Sequence, residues 1–138
     1  MSTEQNKTAY LKFNEEVVNN GNVGILSDFL AANYVFHRTP EIKGSESMKQ
    51  YFIGNRTTFP DWHNEINHIF AEGNMVAVFA TESGTFKGSL WGIAPTGRKF
   101  SVSWASLNRF ENGKLVETWF CYNVLSLFQQ LGIPVPTG

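Results

Sequence analysis

Glu82 is the residue whose setting most suggests acid-base chemistry. It follows Val76, Val78 and Ala80 at intervals of two and precedes Gly84, so on a strand all five share one face that is otherwise small and apolar. Burial on such a face raises a carboxyl pKa and equips it to give and take protons near neutrality. The competing reading is a carboxylate at a sheet end or in solvent, since charged side chains are rarely buried without a partner. His37 closes the extended segment Tyr34-Val35-Phe36-His37, where a neutral imidazole can hold a substrate oxygen or relay a proton. A histidine simply hydrogen-bonded at a strand end is the alternative.

Aromatic side chains accompany these groups. Trp104 and Trp119 fall in the two strands of one hairpin, and Tyr34, Phe36 and Trp62 lie near other strand ends. Together they offer flat apolar surface for a small organic ligand, with plain core packing as the rival role. Metal and cofactor chemistry find no support. His63 and His68 are five apart on one strand and hence on opposite faces, and the lone Cys121 has no partner cysteine. Glycine-rich nucleotide loops, a His-Glu-x-x-His pair and a Gly-x-Ser-x-Gly elbow are all absent from the sequence. We expect no metal and no cofactor.

The elements that must position these residues are legible from periodicity. Tyr10, Leu11, Phe13, Val17 and Val18 recur at spacings near three and four, which predicts a helix over Thr3 to Asn19. Asn22 is a candidate cap for a second short helix carrying Ile25, Leu26, Phe29 and Leu30. Ser45 is a candidate cap for a third, which gives way before Phe59-Pro60. From Trp62 the period becomes two. Trp62, Ile66, His68 and Phe70 are expected on one strand face, and Glu72-Gly73-Asn74 turns that strand into a second, Met75 to Phe86. Lys87 to Arg98 reads as a loop carrying Leu90, Trp91 and Ile93, a candidate lid. Asn112-Gly113 then joins strands Phe100 to Phe110 and Lys114 to Tyr122 by a two-residue turn. Pairing Glu111 with Lys114 sets Ser106 opposite Trp119, Trp104 opposite Cys121 and Val102 opposite Asn123 on one face. Val124 to Leu131 forms a last amphipathic helix that stops at Gly132.

Composition bounds the remaining classes. The 138 residues suit one domain with one core. Eleven Lys and Arg against twelve Asp and Glu leave a net charge of −1, with no basic stripe for a phosphate backbone, so nucleic acid is not an expected partner. No apolar run approaches the roughly 18 residues of a membrane span. Met1 to Lys7 is polar and has no leader pattern, and the single cysteine fits a reducing compartment, so a cytoplasmic location is expected. Both faces of the last hairpin carry apolar residues, which predicts a homodimer through the outer sheet face.

The run Arg109-Phe110-Glu111-Asn112-Gly113-Lys114-Leu115-Val116-Glu117-Thr118-Trp119, continued by Asn123-Val124-Leu125 and Gln129-Gln130-Leu131-Gly132, resembles the SnoaL-like polyketide cyclase family of the nuclear transport factor 2-like superfamily. Tyr34 to His37, Phe59-Pro60-Asp61, Ala71 to Val78 and Gly92 to Arg98 carry the same resemblance over nearly the whole chain. It implies a cone-shaped α+β barrel in which N-terminal helices pack on a strongly curved antiparallel sheet and enclose a pocket. It also implies acid-base ring closure without a cofactor, performed by a carboxylate near the end of the last strand. Asn123 stands at that position. An amide can donate to a carbonyl or enolate but cannot take a proton near neutral pH, so Glu82 or His37 would have to supply the acid. Two functional readings follow: a cofactor-independent cyclase, isomerase or lyase acting on a small carbonyl compound, with a ketosteroid-isomerase-like reaction among them, or a non-catalytic member that binds a small apolar molecule without turnover or serves as a structural subunit.

Overall fold

The structure, a computed structural model, describes residues 2–135. Helix α1 (Thr3–Phe13) opens on a capping box in which Ser2 and Gln5 exchange hydrogen bonds, satisfying two N-terminal backbone donors. It runs into a wider π turn, Asn14–Asn19, rather than continuing as one α-helix. The second expected helix is a 3-10 turn, Val23–Asp28, and Leu30 already belongs to strand β1 (Leu30–His37). Strand β2 (Ile42–Lys43) is a short antiparallel partner of β1. Helix α2 (Ser45–Thr58) starts from Gly44, whose φ of 87° only glycine adopts without strain, so Ser45 is the first helical residue and not the cap.

Strands β3 (His63–Glu72), β4 (Met75–Thr85), β5 (Lys99–Glu111) and β6 (Lys114–Tyr122) complete a six-stranded sheet in the order β2-β1-β6-β5-β4-β3. The sheet is mixed, not wholly antiparallel: β1 runs parallel to β6. Helix α1 packs over β3 and β4, α2 against β1, and the C-terminal helix α3 (Val124–Leu131) against β5. The α+β architecture expected from the sequence is therefore the observed one. Phe128 and Leu131 anchor α3 at 2% and 0% exposure, each worth roughly 1.5–3 kcal/mol of burial, and Gly132 ends the helix at φ 73°.

Two β-bulges decide which residues face inward. In β3, Asn67 is the extra residue between the Ile66–Ala80 and His68–Phe79 pairs. It turns Ile69 and Ala71 toward the core and sends His68 and Phe70 outward, against the single-face reading of Trp62, Ile66, His68 and Phe70. In β6, Val116 is the extra residue: Glu111 does pair with Lys114, but beyond the bulge Arg109 faces Glu117, Leu107 faces Trp119 and Trp104 faces Tyr122. Ser106 thus stands opposite Phe120 rather than Trp119. The inner face carries Val102, Trp104, Ser106, Asn108, Thr118, Phe120 and Tyr122; the outer face carries Ala105, Leu107, Trp119 and Cys121.

Candidate functional site

The concave face of the sheet and the helices above it enclose a narrow cavity of about 70 Å³. Its floor is polar and uncharged. Asn108, 1% exposed, donates to the Val76 carbonyl and the Ser106 hydroxyl, and its amide oxygen accepts from Thr118 at 2.7 Å. Asn64 accepts from the Trp104 indole at 2.6 Å, while the π turn sends the Asn14 and Asn19 amides to the Asn64 carbonyl at 3.1 and 3.0 Å. That exchange explains why the chain widens there: a π turn aims Asn14 at the cavity edge. Tyr10 and Tyr34 close the same end, and burial pushes the Tyr10 phenol up to about 12 and the Tyr34 phenol higher still, so both are neutral donors.

A larger open cleft adjoins this cavity, bounded by the end of β1, the C-terminal half of α2, the loop after β4 and the start of α3. Tyr51, Glu82 and Phe120 line both spaces. Glu82 shares an inward row with Asn64 and Val102. The residue keeps some contact with the cleft, while protein surrounds its carboxyl; burial raises its pKa, opposed by hydrogen bonding from Tyr122 and Trp62. The Trp62 indole donates to Oε1. The Tyr122 hydroxyl is buried beside the carboxyl but makes no hydrogen bond of regular geometry. Burial and the neighbouring carboxylate drive its pKa far above the usual phenol range, which leaves it a neutral donor next to a carboxyl poised to titrate.

The other sequence candidates separate into two groups. Tyr34, Phe36, Trp62 and Trp104 line the inner cavity. Trp119 does not: the Val116 bulge puts it on the outer face, 40% exposed and stacked on His37 with ring centroids 5.2 Å apart. His37 follows the same alternation outward and reaches only the rim of the cleft. Glu41 at 2.7 Å and Glu117 at 2.6 Å engage its two ring nitrogens, so it holds a raised pKa, chiefly from Glu117, and has no free nitrogen with which to relay a proton. Asn123 is exposed and caps α3, its amide oxygen accepting from the Ser126 N–H at 3.0 Å; it lines neither space. Cys121 pairs with Ala105 and is exposed on the outer face, not on the face of Trp104 and Ser106. Tyr51, Tyr122, Asn64 and Asn108 were not singled out from the sequence. For Tyr122 the signal is the pair of consecutive apolar residues Leu115 and Val116, which marks the bulge and would have corrected the register by one.

Among the described residues no group of three or more His, Cys, Asp or Glu is arranged to hold a metal ion, and no helix is long and apolar enough to cross a membrane. A family model described as SnoaL-like polyketide cyclase matches residues 8–131. No curated protein matches the chain. Among solved structures, AclR from Streptomyces galilaeus, provisionally named a hydroxylase, is 28% identical with a TM-score of 0.83 over 99% of this chain and 87% of that one. A provisionally named polyketide cyclase from Acidithiobacillus ferrooxidans is 26% identical with a TM-score of 0.82, covering 96% and 98% of the two chains. A protein with a ketosteroid isomerase-like fold from Catenulispora acidiphila, in complex with trimethylamine, is 20% identical with a TM-score of 0.77 over 98% and 100%, a likeness of fold.

Proposed function

This chain belongs to the SnoaL-like polyketide cyclase family, and on that premise we propose that its cavity and cleft take a small carbonyl-bearing organic molecule and move protons on it without a cofactor. The observation that carries this reading is the Glu82 carboxyl, enclosed where the cavity meets the cleft, with one oxygen fixed by Trp62 and the Tyr122 hydroxyl buried beside it. As carboxylate, Glu82 takes the proton from a carbon next to the substrate carbonyl; the electron pair moves onto the carbonyl oxygen, which accepts a hydrogen bond from Tyr122. The protonated carboxyl then returns its proton to carbon in an isomerisation, or to the new alkoxide after the enolate carbon attacks a second carbonyl in a ring closure. A pKa raised by burial suits a group that must act as base and then as acid. Asn123 and His37 take no part in this scheme, the first engaged as a helix cap and the second by two carboxylates.

The test is solvent deuterium exchange at the α-carbon of a panel of cyclic and aryl ketones, followed by proton NMR. Wild-type protein is expected to accelerate exchange for at least one ketone. Glu82→Gln should lower that rate by roughly 10²–10⁴-fold and Tyr122→Phe by about 10²-fold. The engagement of His37 and the largely apolar upper walls favour a second reading, binding without turnover; ketones that bind with no exchange at all would establish it. In either case we propose that the molecule is a homodimer through the outer sheet face, where Phe70, Phe79, Leu107 and Trp119 are exposed.

A further inference from the structure

The cleft carries a cation that no carboxylate of the described residues holds. Arg38 follows β1 directly, and its guanidinium lies 5.2 Å from the centroid of the Tyr51 ring, a cation–π contact that fixes its position. Among the described residues it makes no ion pair and donates no side-chain hydrogen bond, whereas Arg109 is tied to Glu111 and Glu117 and Arg56 to four backbone carbonyls. The acidic groups nearby are already engaged. Glu41 is shared between His37 and Lys43, Glu117 between His37 and Arg109, and Glu82 is enclosed at the inner end. Stacking on Tyr51 leaves the guanidinium N–H edge without an acceptor, and those donors are spaced to meet a carboxylate in two parallel bonds.

We propose that Arg38 anchors the carboxylate of a small keto acid whose carbonyl lies beside Glu82 and Tyr122. Tyr51 sets the spacing. It lines both the inner cavity and the cleft and carries Arg38 on its ring, so a ligand lying along it meets Glu82 at one end and the guanidinium at the other. Trp91, Leu90 and Leu127 supply the apolar walls between the two polar ends. The inner cavity has an uncharged floor and no lining cation, so it is the end suited to the neutral part of the ligand. This substrate class rests on the reading of Glu82 as the group at the reacting carbonyl.

The test compares 3-benzoylpropionate, a phenyl ketone with a carboxylate, with its methyl ester by titration calorimetry at neutral pH. The wild-type protein should bind the acid roughly ten- to hundredfold more tightly than the ester, the range expected for a charge-assisted bidentate contact. Arg38→Gln should abolish that preference, weakening the acid at least tenfold more than the ester. The wild-type protein supplies an independent arm: added sodium chloride should weaken the acid and spare the ester. Equal affinities in wild type, a preference that survives Arg38→Gln, or salt-insensitive acid binding would each overturn the anion site while leaving the pocket reading intact. Absence of binding by both compounds would overturn the pocket reading and the anion site together.

Discussion

The Trp62 indole N–H is directed at the Glu82 carboxyl across the β3–β4 hairpin. The interaction ties the residue before β3 to the one charged side chain on the inner face of β4 and aims that carboxyl at the junction of cavity and cleft. An enclosed acid fixed in this way leaves a thermodynamic trace. Its folded pKa is raised above the 4.5 of a free carboxyl, mainly by desolvation, so the folded protein binds more protons than the unfolded chain across that interval. The stability associated with Glu82 is whole below pH 4.5 and is lost as pH rises through the folded value.

Glu82→Gln removes this titration and keeps an acceptor for Trp62. The variant is expected to be more stable than wild type at about pH 8 and to lose that advantage at about pH 4, measured by urea unfolding at both values. A difference that stays the same at the two pH values would identify Glu82 as an ordinary solvated acid and remove the basis for acid-base chemistry.

Arg56 links three elements. One guanidinium nitrogen donates to the carbonyls of Val18 at 2.5 Å, Asn19 at 2.9 Å and Trp62 at 3.2 Å, joining α2 to the π turn and to the start of β3. Arg56→Met keeps most of the packing volume and removes these three hydrogen bonds together with a longer one to the Pro60 carbonyl. It should cost about 2–3 kcal/mol in urea unfolding, because the carbonyls lose a charged partner. A loss below about 0.5 kcal/mol would show that water replaces the guanidinium freely.

How much of this was legible in the sequence depended on what each segment obeys. Trp62 precedes β3 and Trp104 lies before the register shift of β5, so the period of two sufficed to put them on the inner face. Tyr34 and Phe36 keep the same alternation although β1 shifts register against β6 between Leu30 and Val35. Glu82 sits on β4, which pairs without interruption along its length with β5, and was readable for the same reason. Trp119 and Asn123 lie beyond the Val116 bulge, and a one-residue slip moves every later side chain to the other face. The β1–β6 pairing was invisible because parallel partners far apart in sequence leave no local signature. The π turn was hidden by a helical periodicity that suits either winding.

The outer face shows how the bulges reshape a surface. Phe70, Ala77, Leu107, Trp119 and His37 form one row across five strands, and His68, Phe79, Ala105 and Cys121 a second beside it. Phe70 is 69% exposed, an apolar cost that a second copy of the chain would relieve. Sedimentation at micromolar concentration should therefore give a dimer. Leu107→Lys, which puts a charge at the centre of the row, should raise the dissociation constant by the equivalent of about 2 kcal/mol or more. A wild-type monomer at that concentration would end the proposal.

Gly88 anchors the loop that walls the cleft. The Lys87 and Gly88 N–H groups both donate to the Thr58 carbonyl, at 3.0 and 2.9 Å. A Cβ on residue 88 would stand 2.4 Å from the Thr57 carbonyl oxygen, a backbone atom held by α2, so neither side can yield cheaply. Gly88→Ala should cost about 2 kcal/mol, combining overpacking with weakened anchoring, and should alter the fluorescence of Trp91 in the same loop. Unchanged stability and unchanged emission would mean that the loop re-seats without strain.

The His37 cluster gives a pH signature opposite in sense to a lone carboxylate. Hydrogen bonding to Glu117, then to Glu41, raises the His37 pKa above 6.5, and the same contact lowers that of Glu117 below 4.5. The histidine contribution is whole below 6.5 and is lost as pH rises through its raised folded value. The glutamate contribution is present above 4.5 and is lost as pH falls through its lowered one. The pair therefore stabilises the fold most between these limits. His37→Gln should lower the melting temperature most at about pH 5.5 and least at about pH 9, with the difference reduced by salt because the groups lie near the surface. A cost independent of both pH and salt would show that the imidazole acts there by stacking on Trp119 alone, and that its charge contributes nothing to closing the rim of the cleft.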